Sequence, residues 1–169
     1  MSYDWYVTVC EALDQQNIPF VVDVSTDKLM DMIPFKPLLI KPNKDEICAI
    51  LGLDSHNFSL ERLVSESRKL MDRGAHNIIV SLGSEGSVFI SKDACYRAYP
   101  PEGTLVDSVG AGDSMVAAFI YGYVNNLSLL DCYKFACASG SATAFSDHLA
   151  IQKDILKLKE NIIIERINL

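Results

Sequence analysis

The chain has 169 residues, 49% of them hydrophobic, with a formal net charge of −7; it can bury a single-domain core, and nothing in its composition points to disorder. The negative balance argues against nucleic acid or an anionic membrane as a partner, because both demand a basic face. Five cysteines (Cys10, Cys48, Cys95, Cys132, Cys137) form no Cys-x-x-Cys pair and stand apart from His56, His76 and His148, so they read as buried thiols of a reducing compartment rather than zinc ligands. No apolar run reaches about 18 residues and no charged-then-apolar leader opens the chain, so neither a membrane span nor a signal peptide is expected, and the cytoplasm is the expected location.

In chain order, a helix is predicted for Asp4 to Gln16, with apolar Trp5, Val9, Ala12 and Leu13, followed at once by a strand over Phe20 to Val24. So abrupt a beginning suggests that the chain starts part-way through a larger fold. A short helical piece, Thr26 to Met32, leads to the apolar run Pro37 to Lys41, which fits a strand buried on both faces. Asn43 can cap a helix from Lys44 to Leu51 that stops at Gly52, and a further helix from Ser59 to Arg73 ends at Gly74 and feeds a strand over Asn77 to Leu82. This alternation predicts a mostly parallel sheet covered by helices. Ser87 to Ser91 and Ala94 to Tyr99 alternate around a Lys-Asp turn and predict an antiparallel hairpin. Helices to about Val124, from Ser128 to about Phe145 and from Ile151 to Glu160 follow, then a strand from Ile162 to Ile167; there is no repeat or low-complexity tract.

Three loops fall at ends of predicted strands, where open α/β sheets place their ligands. The most informative is Asp107-Ser-Val-Gly-Ala-Gly-Asp-Ser114. It puts a carboxylate directly after a glycine-rich turn that opens an apolar helix, and the first turn of a helix has free N–H groups and a positive dipole end that favour an anion. Gly110 and Gly112 let a phosphate oxygen approach the backbone, and Asp113 is placed to act as a general base; the alternative is a helix start whose Asp only complements the dipole. The second loop, Lys41-Pro-Asn43 with Glu46, offers a cation, an amide and a carboxylate that could hold phosphate and, through water, Mg²⁺. Its alternative, by pattern alone the commoner, is a capping box variant. The third, Ser81-Leu82-Gly83-Ser84-Glu85-Gly86, could admit a nucleotide to its amides or be a plain hairpin turn.

Together these residues resemble the ribokinase and phosphofructokinase B family of sugar kinases. Asp107 to Phe119 is similar to the family's C-terminal signature, Lys41-Pro-Asn-x-x-Glu46 to its Asn-x-x-Glu motif, and Ser81-Leu-Gly-x-x-Gly86 to its nucleotide loop. The resemblance covers the whole chain but only the C-terminal half of a family member. It implies a three-layer αβα, ribokinase-like (Rossmann-like), mostly parallel sheet with an antiparallel hairpin, truncated at the N-terminus, in which residues 1–169 are the nucleotide-binding part. The sugar-binding half and the lid that often makes a homodimer would be absent.

Carried over residue by residue, the resemblance implies Asp113 as the catalytic base and the N–H groups of Gly110, Ala111 and Gly112 as an anion hole for the transferring phosphoryl group. Lys41 would meet ATP phosphates, and Asn43 with Glu46 would position Mg²⁺. Ser81 to Gly86 would hold nucleotide, Ser141 and Ser146 would border the adenine, and Asp107 matches a position that supports a monovalent cation in some relatives. The runs Met115 to Gly122 and Ala138 to Ser146 look most like the branch that phosphorylates fructose 1-phosphate, with the tagatose 6-phosphate branch next. The substrates implied are therefore ATP and a phosphorylated ketohexose, with a non-catalytic nucleotide-binding fragment as the alternative for the isolated chain. No Gly-x-x-x-x-Gly-Lys-Ser/Thr is present, which excludes a P-loop kinase.

Overall fold

A computed structural model describes residues 4–24, 26–57 and 59–168. Among them, six strands form one mixed sheet in the order of the sequence: β1 (Val21–Val22), β2 (Leu39–Ile40), β3 (Asn77–Ser81), β4 (Ser87–Ser91), β5 (Cys95–Tyr99) and β6 (Ile163–Ile167). The helices are α1 (Asp4–Gln15), α2 (Thr26–Met32), α3 (Lys44–Leu51), α4 (Leu60–Asp72), α5 (Ala111–Val124), α6 (Leu129–Ala144) and α7 (Gln152–Asn161). The α/β alternation expected from the sequence is present. β1, β2 and β3 run parallel, in the register Val21 to Leu39 and Ile40 to Ile78. β4 and β5 are joined by three residues closed by the Ser91–Ala94 turn, too short a link for anything but antiparallel strands.

The chain divides into two compact units. The first comprises residues 1–83, 88–96 and 166–169; the second comprises residues 84–87 and 97–165.

In the first unit the core is built where the strands carry unbroken apolar runs. Leu39, Ile40, Ile78, Ile79 and Val80 have no exposed surface, as strands covered on both faces must. Leu63, Val64 and Leu70 of α4 and Ile47 of α3 share one cluster with Ile40, Ile78 and Val80. Helix ends sit where short-range hydrogen bonds put them: Ser59 Oγ accepts the Arg62 N–H, and Gly52 closes α3 in the left-handed conformation. The expected strands over 20–24 and 37–41 are shorter than the apolar runs that announce them, because a ladder extends only as far as its neighbour pairs.

In the second unit, α5 and α6 bury Met115, Phe119, Cys132, Tyr133, Ala136 and Cys137. A buried polar network ties α6 to strand backbone: the Tyr133 hydroxyl donates to the Ser87 carbonyl at 2.8 Å and accepts the Ala98 N–H at 3.1 Å. Ser87 Oγ lies 2.9 Å from that phenol and 3.4 Å from the Cys137 thiol. Burial pushes the Tyr133 phenol well above its usual range and the Cys137 thiol up to about 11. All five cysteines are free and buried, as their spacing suggested. No helix among the described residues is long and apolar enough to cross a membrane.

Candidate active site

In the first unit, the ends of three parallel strands gather polar groups within a short span. Lys41 follows β2, Asp23 follows β1 and Ser81 closes β3. The Lys41 side chain is only 8% exposed, and its ammonium lies 3.3 Å from the Asp23 carboxylate, so a cation that the sequence offers to phosphate is held in place by an acid. Sequence reading missed Asp23; its only signal was a charge interrupting the run Phe20 to Val24. Asn43 pairs with Ser81 in an isolated parallel bridge, and the Ser81 N–H donates to the Pro42 carbonyl at 3.1 Å.

The commoner reading of Asn43 and Glu46 is realised in full. Asn43 Oδ1 accepts the Glu46 N–H at 2.9 Å, and the Asn43 N–H donates to Glu46 Oε2 at 2.8 Å, a complete capping box. The box leaves Glu46 Oε1 and the Asn43 amide nitrogen outside it. One carboxylate and one amide are too few for a protein cage, but they fit Mg²⁺ that keeps its waters and is carried by substrate phosphates. Beyond β3, Leu82 is buried while Gly83 lies exposed at the start of a single 3-10 turn, Gly83–Glu85.

In the second unit, Ser84 and Glu85 are exposed, and the Glu85 carbonyl accepts from the Arg97 guanidinium at 3.4 Å. Gly86 has a structural reason of its own: it sits at φ +90°, and a Cβ there would lie 2.1 Å from the Ala98 carbonyl oxygen.

The glycine turn of the second unit is built from both ends. Val106 and Asp107 both donate their N–H to the Ala144 carbonyl at the end of α6. Asp107 Oδ1 then accepts the Val109 N–H at 2.9 Å, which turns the chain toward α5. Gly110 caps α5 at φ +76°, a conformation that favours glycine. The Ala111 N–H is spent on the Ser108 carbonyl at 3.2 Å, and the Gly110 carbonyl is taken by Ser114. Among the described residues no acceptor meets the N–H of Gly110, Gly112 or Asp113; of the three donors that the resemblance implied, only that of Ala111 is bonded within the turn. The Asp113 carboxylate is exposed beside them.

Two residues that the sequence did not single out hold this turn. Ser114 Oγ and Thr143 Oγ1 are 2.8 Å apart, and the Thr143 hydroxyl also accepts the Ala150 N–H at 3.3 Å. Gly140 faces the first turn of α5 so closely that a Cβ would stand 2.5 Å from Met115 Cγ and 3.2 Å from the Ala111 carbonyl oxygen. The run of small residues from Ala138 to Ser146 was the available signal. Ser146 Oγ donates to the Ala142 carbonyl at 2.8 Å, and the Ser141 carbonyl accepts the Phe145 N–H; Ser141 itself is half-buried.

The pfkB family carbohydrate kinase profile matches residues 1–153. The chain belongs to this family. It is 36% identical over 167 residues to the 1-phosphofructokinase of Bacillus subtilis, covering 99% of this chain and 54% of the relative. It is 30% identical over 157 residues to the D-tagatose-1-phosphate kinase of Bacillus licheniformis, covering 93% of this chain and 50% of that one. Among solved structures, Escherichia coli phosphofructokinase-2 in complex with substrates and products superposes with a TM-score of 0.87 at 26% identity, over 95% of this chain and 52% of the other. This pfkB chain therefore spans about half the length of the curated relatives it matches.

Proposed function

We propose that the kinase to which this chain contributes transfers the γ-phosphoryl group of ATP to the 6-hydroxyl of fructose 1-phosphate. The observation that carries this reading is the first turn of α5, where an exposed Asp113 carboxylate stands beside two N–H groups without acceptors. In this reading Asp113 takes the proton of the attacking sugar hydroxyl. The Gly112 and Asp113 N–H groups receive the oxygens of the transferring phosphoryl, on which charge builds in the transition state, and because the turn is already held by Thr143 they need no reorganisation to do so. Lys41, oriented by Asp23, and the loop from Ser81 to Gly86 are the nucleotide-binding elements. Asn43 and Glu46 would hold Mg²⁺ through its waters, and the bound ion would neutralise phosphate charge.

A second ketose is favoured by the tagatose-kinase relative, whose name puts the phosphate at C1, where the sequence reading had tagatose 6-phosphate. Tagatose 1-phosphate offers the same 6-hydroxyl to the same base, so kcat/KM measured on both sugars separates the two readings.

The test joins this chain in one polypeptide to the part of the Bacillus subtilis relative that it does not match, and follows ADP release. Asp113→Asn is expected to lower kcat roughly 10²–10⁴-fold with nucleotide affinity changed only a few-fold. Turnover near that of the parent would remove Asp113 from the mechanism. The chain by itself is expected to show no turnover, because it matches only 54% of the Bacillus subtilis relative and the sugar-holding segment is expected in the remainder.

A further inference from the structure

β3 runs toward Ser81, and β4, its neighbour in the sheet, returns after five residues, a link that fits only antiparallel strands. The turn from β4 into β5 therefore lies at the end of the sheet away from Lys41, Asn43 and Ser81. A cavity of about 420 Å³ opens there, lined by Arg68 of α4, by Asp93, Ala94 and Cys95 at the turn, and by Arg166 and Asn168 at the close of β6. All of these residues belong to the first unit. The volume falls within the range of about 300–1,000 Å³ in which proteins hold small organic ligands.

Two guanidinium groups line this cavity, and the turn anchors both. Arg68 Nη2 donates to the Cys95 sulfur at 3.5 Å, and Arg166 Nη2 donates to the Asp93 carbonyl at 3.3 Å. The turn is itself fixed, because the Ser91 N–H and hydroxyl both donate to the Ala94 carbonyl at 2.9 Å. Neither anchor neutralises its cation. Lys36, Lys41 and Lys69 each meet a carboxylate, whereas among the described residues neither Arg68 nor Arg166 forms an ion pair, in a chain with 22 acidic residues against 15 basic ones. Asp93 meets Arg166 through its main chain and not through its carboxylate.

Two like charges on one lining raise each other's energy, and an anion held between them lowers it. Each guanidinium spends one N–H on its anchor and keeps the rest of its planar fork, which matches the oxygens of a phosphate. We propose that this cavity binds a small phosphate-bearing metabolite, with Arg68 and Arg166 gripping the phosphate and the organic part filling the remaining volume. A phosphate dianion matches the two unpaired positive charges. None of these residues belongs to the elements that bind nucleotide or carry the proposed base, so the site stands apart from the kinase reading.

The experiment titrates the chain by calorimetry with inorganic phosphate, glycerol 3-phosphate, glucose 6-phosphate, AMP and citrate. Lys41→Met is included so that phosphate held by the nucleotide elements is seen separately. One phosphate site is expected to persist in Lys41→Met and to weaken as ionic strength rises. Arg68→Gln and Arg166→Gln should each weaken it at least about tenfold, while Arg62→Gln on the exposed face of α4 leaves it unchanged. Arg68→Lys, which keeps the charge and loses the fork, should fall between parent and Arg68→Gln. At least one of the three organic phosphates should bind more tightly than inorganic phosphate. Where a Gln variant is destabilised, the Arg Nε–H NMR signals of the parent decide instead, and those of Arg68 and Arg166 must move on adding phosphate. Equal phosphate binding by the parent and both Gln variants, phosphate binding lost only in Lys41→Met, or arginine signals that stay in place each overturn the proposal. So does inorganic phosphate or citrate binding more tightly than every organic phosphate.

Discussion

Helices α4 and α5 are nearly equal in length, 13 and 14 residues, and solve the problem of solvent in opposite ways. α4 buries Leu63, Val64, Ser67 and Leu70 and turns Glu61, Arg62, Arg68, Lys69 and Asp72 outward. One of its faces is finished by the core and the other by water, with Lys69 and Glu66 paired at 2.6 Å. α5 buries one face equally well but sets Ile120 and Val124 on the other, with only Asp113 at its head able to carry charge. A charged outer face marks a helix whose packing is complete. An apolar outer face marks one whose packing is shared with something else, and in this chain that helix is the one that carries the proposed base.

If the two inner faces are equivalent, truncating either should cost about the same. Phe119→Ala in α5 is expected to lower stability by about 3–5 kcal/mol and Leu63→Ala in α4 by about 2–5 kcal/mol, both in urea titrations. A cost below about 1 kcal/mol at Phe119, far under that range, would mean that α5 is not anchored on either face.

The buried network behind α6 adds a pH dependence at the alkaline end. The Cys137 thiol is raised from 9.0 to about 11 in the folded chain, so the folded state holds this proton more tightly than the unfolded one. Its stabilising contribution is complete below pH 9 and is lost as pH rises toward 11, on the order of 3 kcal/mol at 1.36 kcal/mol per pH unit. The Tyr133 phenol, also raised, extends the loss to higher pH. Melting temperatures recorded through this window should fall for the parent and fall less for Cys137→Ala; identical slopes would exclude the thiol.

Smaller effects probe the contacts that orient each helix. Gly140→Val would drive a branched side chain toward Met115 and the Ala111 carbonyl, at a cost of about 1–3 kcal/mol. In the joined kinase it should lower kcat as well, because the first turn of α5 shifts with it; a stability loss with unchanged kcat would show that Gly140 serves packing alone. In α4, Ser67 is fully buried, and its Oγ has no hydrogen-bond partner among the described residues. Ser67→Ala removes an unsatisfied hydroxyl and adds a better helix former, so the chain should gain about 0.5–1.5 kcal/mol in thermal denaturation. A loss of stability would mean that the hydroxyl has a partner, such as a bound water.

Helix boundaries were legible in the sequence because caps are local. Asn43 with Glu46, Ser59 with Arg62 and Ser128 with Asp131 each close a hydrogen bond over three residues, a distance that a pattern can span. The buried strand Asn77–Ser81 was legible for a related reason, since an unbroken apolar run has few places to go but between two layers. The glycine turn was legible as chemistry, because Gly110, Gly112 and Asp113 are adjacent in the chain.

Tertiary structure alone decided what depends on residues far apart. It trimmed β1 and β2 to two residues each, since their length is set by register with neighbours. It paired Lys41 with Asp23 and joined Ser114 to Thr143. It also divided an α5 that is apolar throughout into a face that packs on α6 and a face that stays in water. Periodicity shows which residues share a face, whereas which face is covered depends on what the rest of the chain brings to it.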